Sequence, residues 1–137
     1  MSEYNEITFE SMIKDVLLLD NMMVSVKSEN AIAEVKIEKN TPFRIREQWA
    51  TIGDEKGPWH MHVNIQETKE ARFIVENKDN GRKSYSIRFF NSKNALVLRV
   101  NFMKMHDEKN ETIEENLSRY KNLFLKYGEK DSLFLIN

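Results

Sequence analysis

The chain has 137 residues, of which 40% are hydrophobic and 31% charged, with a formal net charge of −1 and no cysteine. That length suits a single domain over residues 1–137 with its own core, and interspersed charges of both signs give no field that would steer it to nucleic acid or an anionic membrane. Without cysteine, disulfide frameworks, thiolate catalysis, zinc ribbons and iron–sulfur ligation are excluded, so any metal falls to His, carboxylate or Tyr.

The opening "MSEYNEITFE" carries acidic and polar residues where a secretory signal has a basic patch and an apolar run, and no apolar stretch approaches bilayer length. The expectation is a cytoplasmic protein with no membrane segment. Phe9, Met12, Ile13, Val16 and Leu17 then recur at helical spacing behind Thr8, a residue type that caps first-turn amides. From Met22 onward, β-branched and aromatic residues predict about seven strands. These are "MMVSVK", "AIAEVKI", "FRIREQWA", "WHMHVNI", "ARFIVE", "SYSIRFF" and "NALVLRVNF".

The connections between them are short and carry turn residues at Ser28 to Asn30, Gly53 to Pro58, Asp79-Asn80-Gly81 and Asn91 to Asn94. Short links favour antiparallel neighbours, because a parallel crossover needs about a dozen residues. A second helix follows. Thr112-Ile113-Glu114-Glu115 matches a reciprocal capping box, Ile113, Leu117, Tyr120, Phe124 and Tyr127 trace an apolar stripe, and Gly128 supplies a left-handed end. The tail "SLFLIN" reads as an edge strand or a contact with another subunit. The predicted fold is α+β: one large twisted antiparallel meander with a helix from each end of the chain packed on its apolar face.

Two of the three histidines lie in one predicted strand. Side chains alternate between strand faces, so Trp59, Met61, Val63 and Ile65 share the core side while His60, His62, Asn64 and Gln66 share the other. The same alternation puts Arg44, Arg46, Arg72, Arg88 and Arg99 on non-core faces, with Phe90, Val97 and Met103 among them. Trp59, Phe73, Phe89, Met22 and Met23 read most simply as core. A face combining imidazole, guanidinium and apolar groups suits a flat amphipathic anion such as haem, whose iron imidazole ligates and whose propionates Arg meets. A plain solvated sheet face remains open on the same residues.

The segment "HVNIQETKEARFIVENKDNGRKSYSIRFFNSKNALVLRVNF", followed by "HDE" and the second helix, resembles the haem-utilisation carriers of the HutX and ChuX kind, themselves similar to one half of the two-module HemS proteins. The corresponding residues are His62, then Gly81-Arg82-Lys83-Ser84-Tyr85-Ser86, then Phe89-Phe90-Asn91, then His106-Asp107-Glu108. The resemblance implies haem as cargo. It implies His62 as iron ligand; His60, on the same face two residues away, is placed to flank the ring or to substitute for His62, and Arg82 at the hairpin together with the group Arg44, Arg46, Arg72, Arg88 and Arg99 are the candidate propionate partners. It further implies a homodimer that imitates the two-module form, with a haem donor or acceptor protein as partner.

Two positions depart from the family pattern. Tyr85 stands where the motif often has His, leaving a phenol as the ligand type there, although alternation places it on the core side with Ile87 and Phe89. His106 stands where the family often has Arg, in a turn. The reading is a carrier rather than a catalyst, with haem degradation as its variant. Two alternatives stand beside it: a non-haem metal enzyme built on the His60-x-His62 pair, and an interaction module without a cofactor.

Overall fold

The computed structural model describes residues 6–137; the expectation about export rests in part on residues 1–5, which lie outside the described residues. The first helix, α1, runs Phe9–Val16. Thr8 caps it as expected, its Oγ1 accepting from the Ser11 amide at 3.0 Å while Ser11 Oγ accepts from the Thr8 amide at 3.3 Å. The reciprocal box thus forms at this helix.

Among the described residues nine strands follow, in place of about seven. They are β1 Met22–Lys27, β2 Ile32–Ile37, β3 Phe43–Arg46, β4 Trp49–Gly53, β5 His60–Asn64, β6 Glu70–Asn77, β7 Lys83–Phe90, β8 Leu96–Phe102 and β9 Ser132–Phe134, with α2 at Glu114–Lys126 before the last. The predicted single strand "FRIREQWA" is two. Glu47 adopts φ 56°, and the two-residue turn Glu47-Gln48 folds Arg46 back against Trp49. A left-handed glutamate carries no glycine or asparagine signal, so sequence alone gives no hint of the hairpin.

The antiparallel α+β class holds, but the strands divide into two sheets: six in the order β2-β1-β8-β7-β6-β9, and three in the order β3-β4-β5. Only β6, β7 and β8 form a meander in the large sheet, since β1 inserts beside β8 and β9 returns to β6. The tail is therefore the edge strand. Asn137 secures it by accepting from the Phe9 amide at 2.9 Å and donating to the Ile65 and Thr68 carbonyls.

The second helix departs from expectation at its start. Its N-cap is Ile113, with no side-chain cap bond. Thr112 is instead bridged to His106 in the preceding turn, which shifts the helix one residue on and leaves the capping box unmade. Its end follows the expectation. Gly128 at φ 90° lets the Glu129 amide reach the Phe124 carbonyl and its own amide reach that of Leu125, the paired bonds of a Schellman motif.

Both helices contribute to one core with the large sheet. Phe9 of α1 meets Phe89 of β7 edge-on with ring centroids 4.9 Å apart. Tyr120 of α2 packs edge-on against Phe73, Tyr85 and Phe102 at 5.7, 5.0 and 5.3 Å. Ala50, Ile52 and Val63 of the small sheet join the same core, so its other face is turned outward. Phe73, Phe89 and Met22 are buried as expected, whereas Trp59 and Met23 are half-buried.

Burial, followed by the nearby charges of Asp131 and Tyr85, pushes the Tyr120 hydroxyl from its ordinary 10.0 up to about 12. Tyr127 is raised in the same sense by burial and by its bond to Asp15. A folded-state value above the unfolded one means the stabilisation is complete below the unfolded value and is lost as pH rises through the folded one. Stability should therefore fall from about pH 10 to about pH 12, with Tyr120 contributing on the order of 2–3 kcal/mol. Urea midpoints across that range measure it. Tyr120→Phe should flatten the decline, and an unchanged slope would count against this assignment.

Candidate functional site

The outward face of the small sheet is built by cross-strand register. Arg44, Thr51 and His62 are direct partners across β3, β4 and β5, and Arg46, Trp49 and Asn64 form the next row. Directly opposed residues share a face, so two arginines, an indole and an imidazole stand together. Arg44, Arg46, Trp49, Thr51, Glu55 and His62 line an open depression of about 410 Å³. Trp49 is 43% exposed, unusual for a residue of its size on a sheet with a filled core, and its ring forms part of the wall.

His62 is exposed, and its Nδ1 lies 2.9 Å from Thr51 Oγ1. That contact orients the ring and leaves Nε2 without a protein partner among the described residues. His60 sits edge-on to His62, with ring centroids 5.0 Å apart. Arg44 is bonded to Glu55 in the loop after β4. That bond, aided by the positive charge of Arg44 and by His62 and His60, holds the Glu55 carboxyl below its usual range. A ligand carboxylate arriving at Arg44 would compete with Glu55.

The structure thus brings His60 and His62 together with Arg44 and Arg46. Arg82, Arg88 and Tyr85 lie on the other sheet. Arg82, at the β6–β7 turn, donates to the Asn110 side chain. Arg88 faces away from the helices and is engaged by Ser86 and Glu76. Its direct partners are Arg72 and Arg99, forming a row of three arginines across the sheet; burial and then the neighbouring charge of Arg88 lower the pKa of Arg99. Tyr85 lies on the helix side against Tyr120, in the packing role its alternation implies. His106 is half-buried in the turn bridged to Thr112.

Sequence reasoning missed Trp49, Thr51 and Glu55. Alternation along a single strand could not reveal the first two, because their proximity to His62 depends on the Glu47 hairpin and on β4 pairing with β5. For a bare metal ion the site offers little. Among the described residues no group of three or more His, Cys, Asp or Glu is placed to hold one, and the arginines would repel a dication. No helix among the described residues is long and apolar enough to cross a membrane.

A protein-family model matches residues 10–128. No curated protein matches the sequence. Among solved structures, the chain is similar to the haem binding protein ChuX, at 18% identity and a TM-score of 0.71, over 87% of this chain and 72% of that one. A second ChuX structure gives 20% identity and a TM-score of 0.73, over 89% and 73%. The Escherichia coli haem oxygenase ChuS gives 15% identity and a TM-score of 0.60, over 85% of this chain but 35% of that one. At these identities the likeness is one of fold.

Proposed function

We propose that the chain, which belongs to the family whose model matches residues 10–128 and shares its fold with ChuX, is a haem carrier of the HutX and ChuX kind that binds haem reversibly, as cargo, on the outward face of the small sheet. The observation that carries this reading is the exposed His62 imidazole beside Trp49 and two arginines in one depression. His62 supplies the axial nitrogen, Trp49 an apolar plane for the macrocycle, and Arg44 and Arg46 the cations for propionates. Because the depression is open, a haem donor or acceptor can approach it. The role is carriage in the cytoplasm by a homodimer, with no chemistry on the haem.

Titrating the purified protein with hemin should give a shifted Soret band that saturates at stoichiometric hemin. The shift should fade on acidification, since a protonated imidazole has no lone pair for iron. An unchanged spectrum at stoichiometric hemin would end the proposal. Adding a reductant to the complex tests the degradation variant, for which loss of the Soret band is the signature. Stoichiometric non-haem metal in the purified protein would favour the metal-enzyme alternative, and silence in all three assays the interaction module.

A further inference from the structure

We propose that Glu55 is an exchange carboxylate: it holds Arg44 when the depression is empty, yields it to a propionate of the incoming haem, and takes it back as the cargo leaves. This rests on the haem reading above and names the device that keeps that binding reversible. Arg44 on β3 is the direct partner of Thr51, and Thr51 that of His62, so Arg44 stands two strands, roughly 10 Å, across the sheet from the imidazole. Its guanidinium is already bonded to the Glu55 carboxylate, which belongs to the loop after β4 and lines the same depression. Any other carboxylate that reaches Arg44 therefore meets a competitor built into the chain.

The loop does not need that bond to keep its shape. The Asp54 side chain accepts from the Lys56 amide at 2.9 Å, the Asp54 carbonyl accepts from the Gly57 amide at 2.8 Å, and the Gly53 amide donates to the Pro42 carbonyl at 2.8 Å. Among the described residues Arg44 is the only hydrogen-bond partner of the Glu55 side chain. The pair is also wet, with side chains 51% and 43% exposed, and an ion pair in that setting is weak enough to open readily. Two carboxylates on one guanidinium repel each other, so a propionate that bonds Arg44 displaces Glu55 rather than joining it. The swap trades one charge-assisted bond for another, and neither capture nor release has to pass through an unpaired arginine.

Soret titration, and transfer of haem from the loaded protein to excess apomyoglobin, test the proposal. Each is run with hemin and with hemin dimethyl ester, whose esterified propionates carry no charge. Glu55→Gln keeps the side chain's size and removes its charge. It should raise hemin affinity by about threefold, mostly through slower release, and leave the ester unchanged. In the Arg44→Ala background the same change should affect neither ligand, which separates exchange at Arg44 from a general loss of negative charge. Circular dichroism should show all variants folded. Wild-type affinity and release in Glu55→Gln, an equal gain with the ester, or a gain that persists without Arg44 would each overturn the role of Glu55 while haem binding stood. A wild type that gives no Soret shift with hemin would overturn this proposal together with the haem reading.

Discussion

Replacing His62 with Ala should weaken hemin binding by at least about tenfold, or about 1.4 kcal/mol, while His60→Ala should cost less than about threefold. The difference follows from position. His62 lines the depression beside Trp49, Arg44 and Arg46, whereas His60 reaches it only through edge-on contact with the His62 ring. Thr51→Val should fall between the two. A threonine hydroxyl can accept as well as donate, so it can take the Nδ1 proton's hydrogen bond when Nε2 presents its lone pair to iron; valine cannot. Because His62 is exposed, its removal should leave the fold intact by circular dichroism. Soret titrations of the three variants make the measurement, and wild-type affinity in His62→Ala would remove this histidine as the ligand.

Arg119→Ala should cost about 3 kcal/mol of stability, read as a lower urea midpoint. From α2 its guanidinium donates to the carbonyls of Asn21 at 3.0 Å, Met103 at 2.6 Å and Asn116 at 2.8 Å, and also to that of Asp20. It thereby ties the turn after α1 and the end of β8 to the second helix. Asn21 is left-handed at φ 57°, a conformation that asparagine adopts more readily than most residues. Burial lowers the pKa of Arg119, yet arginine starts so far above neutrality that it keeps its charge. Removing it takes that donor from the Asp20 and Met103 carbonyls at a helix–sheet junction, while the Asn21 carbonyl keeps the Met103 amide at 2.9 Å. Arg119→Lys should recover less than about half the loss, because an ammonium is a point donor and cannot span carbonyls on three segments. A loss under about 1 kcal/mol in the alanine variant would mean that water replaces the side chain.

Local rules carried the elements a long way. The spacing of Phe9, Met12, Ile13 and Val16 gave the first helix and its buried face, Thr8 its cap, and Gly128 the end of the second. They failed where a non-local contact claimed the residue. Thr112 has the right neighbours for a capping box but is taken by the bridge to His106. Glu47 turns the chain in a left-handed conformation that its type rarely adopts, held by the β3–β4 pairing that follows it.

The candidate site divides along the same line. Two-residue alternation is a property of the strand itself, so the sequence alone determined that His60 and His62 point away from Met61 and Val63, and that Arg44 and Arg46 point away from Phe43 and Ile45. Which arginines stand beside the histidines is a matter of strand order and register, set by pairings between residues distant in the chain. Only the tertiary structure decided that β3, β4 and β5 leave the main sheet, gathering Arg44, Arg46, Trp49 and Thr51 around His62 while Arg82, Arg88 and Tyr85 remain on the other sheet. Alternation fixes a side chain's face, but it is blind to the neighbour across the ladder.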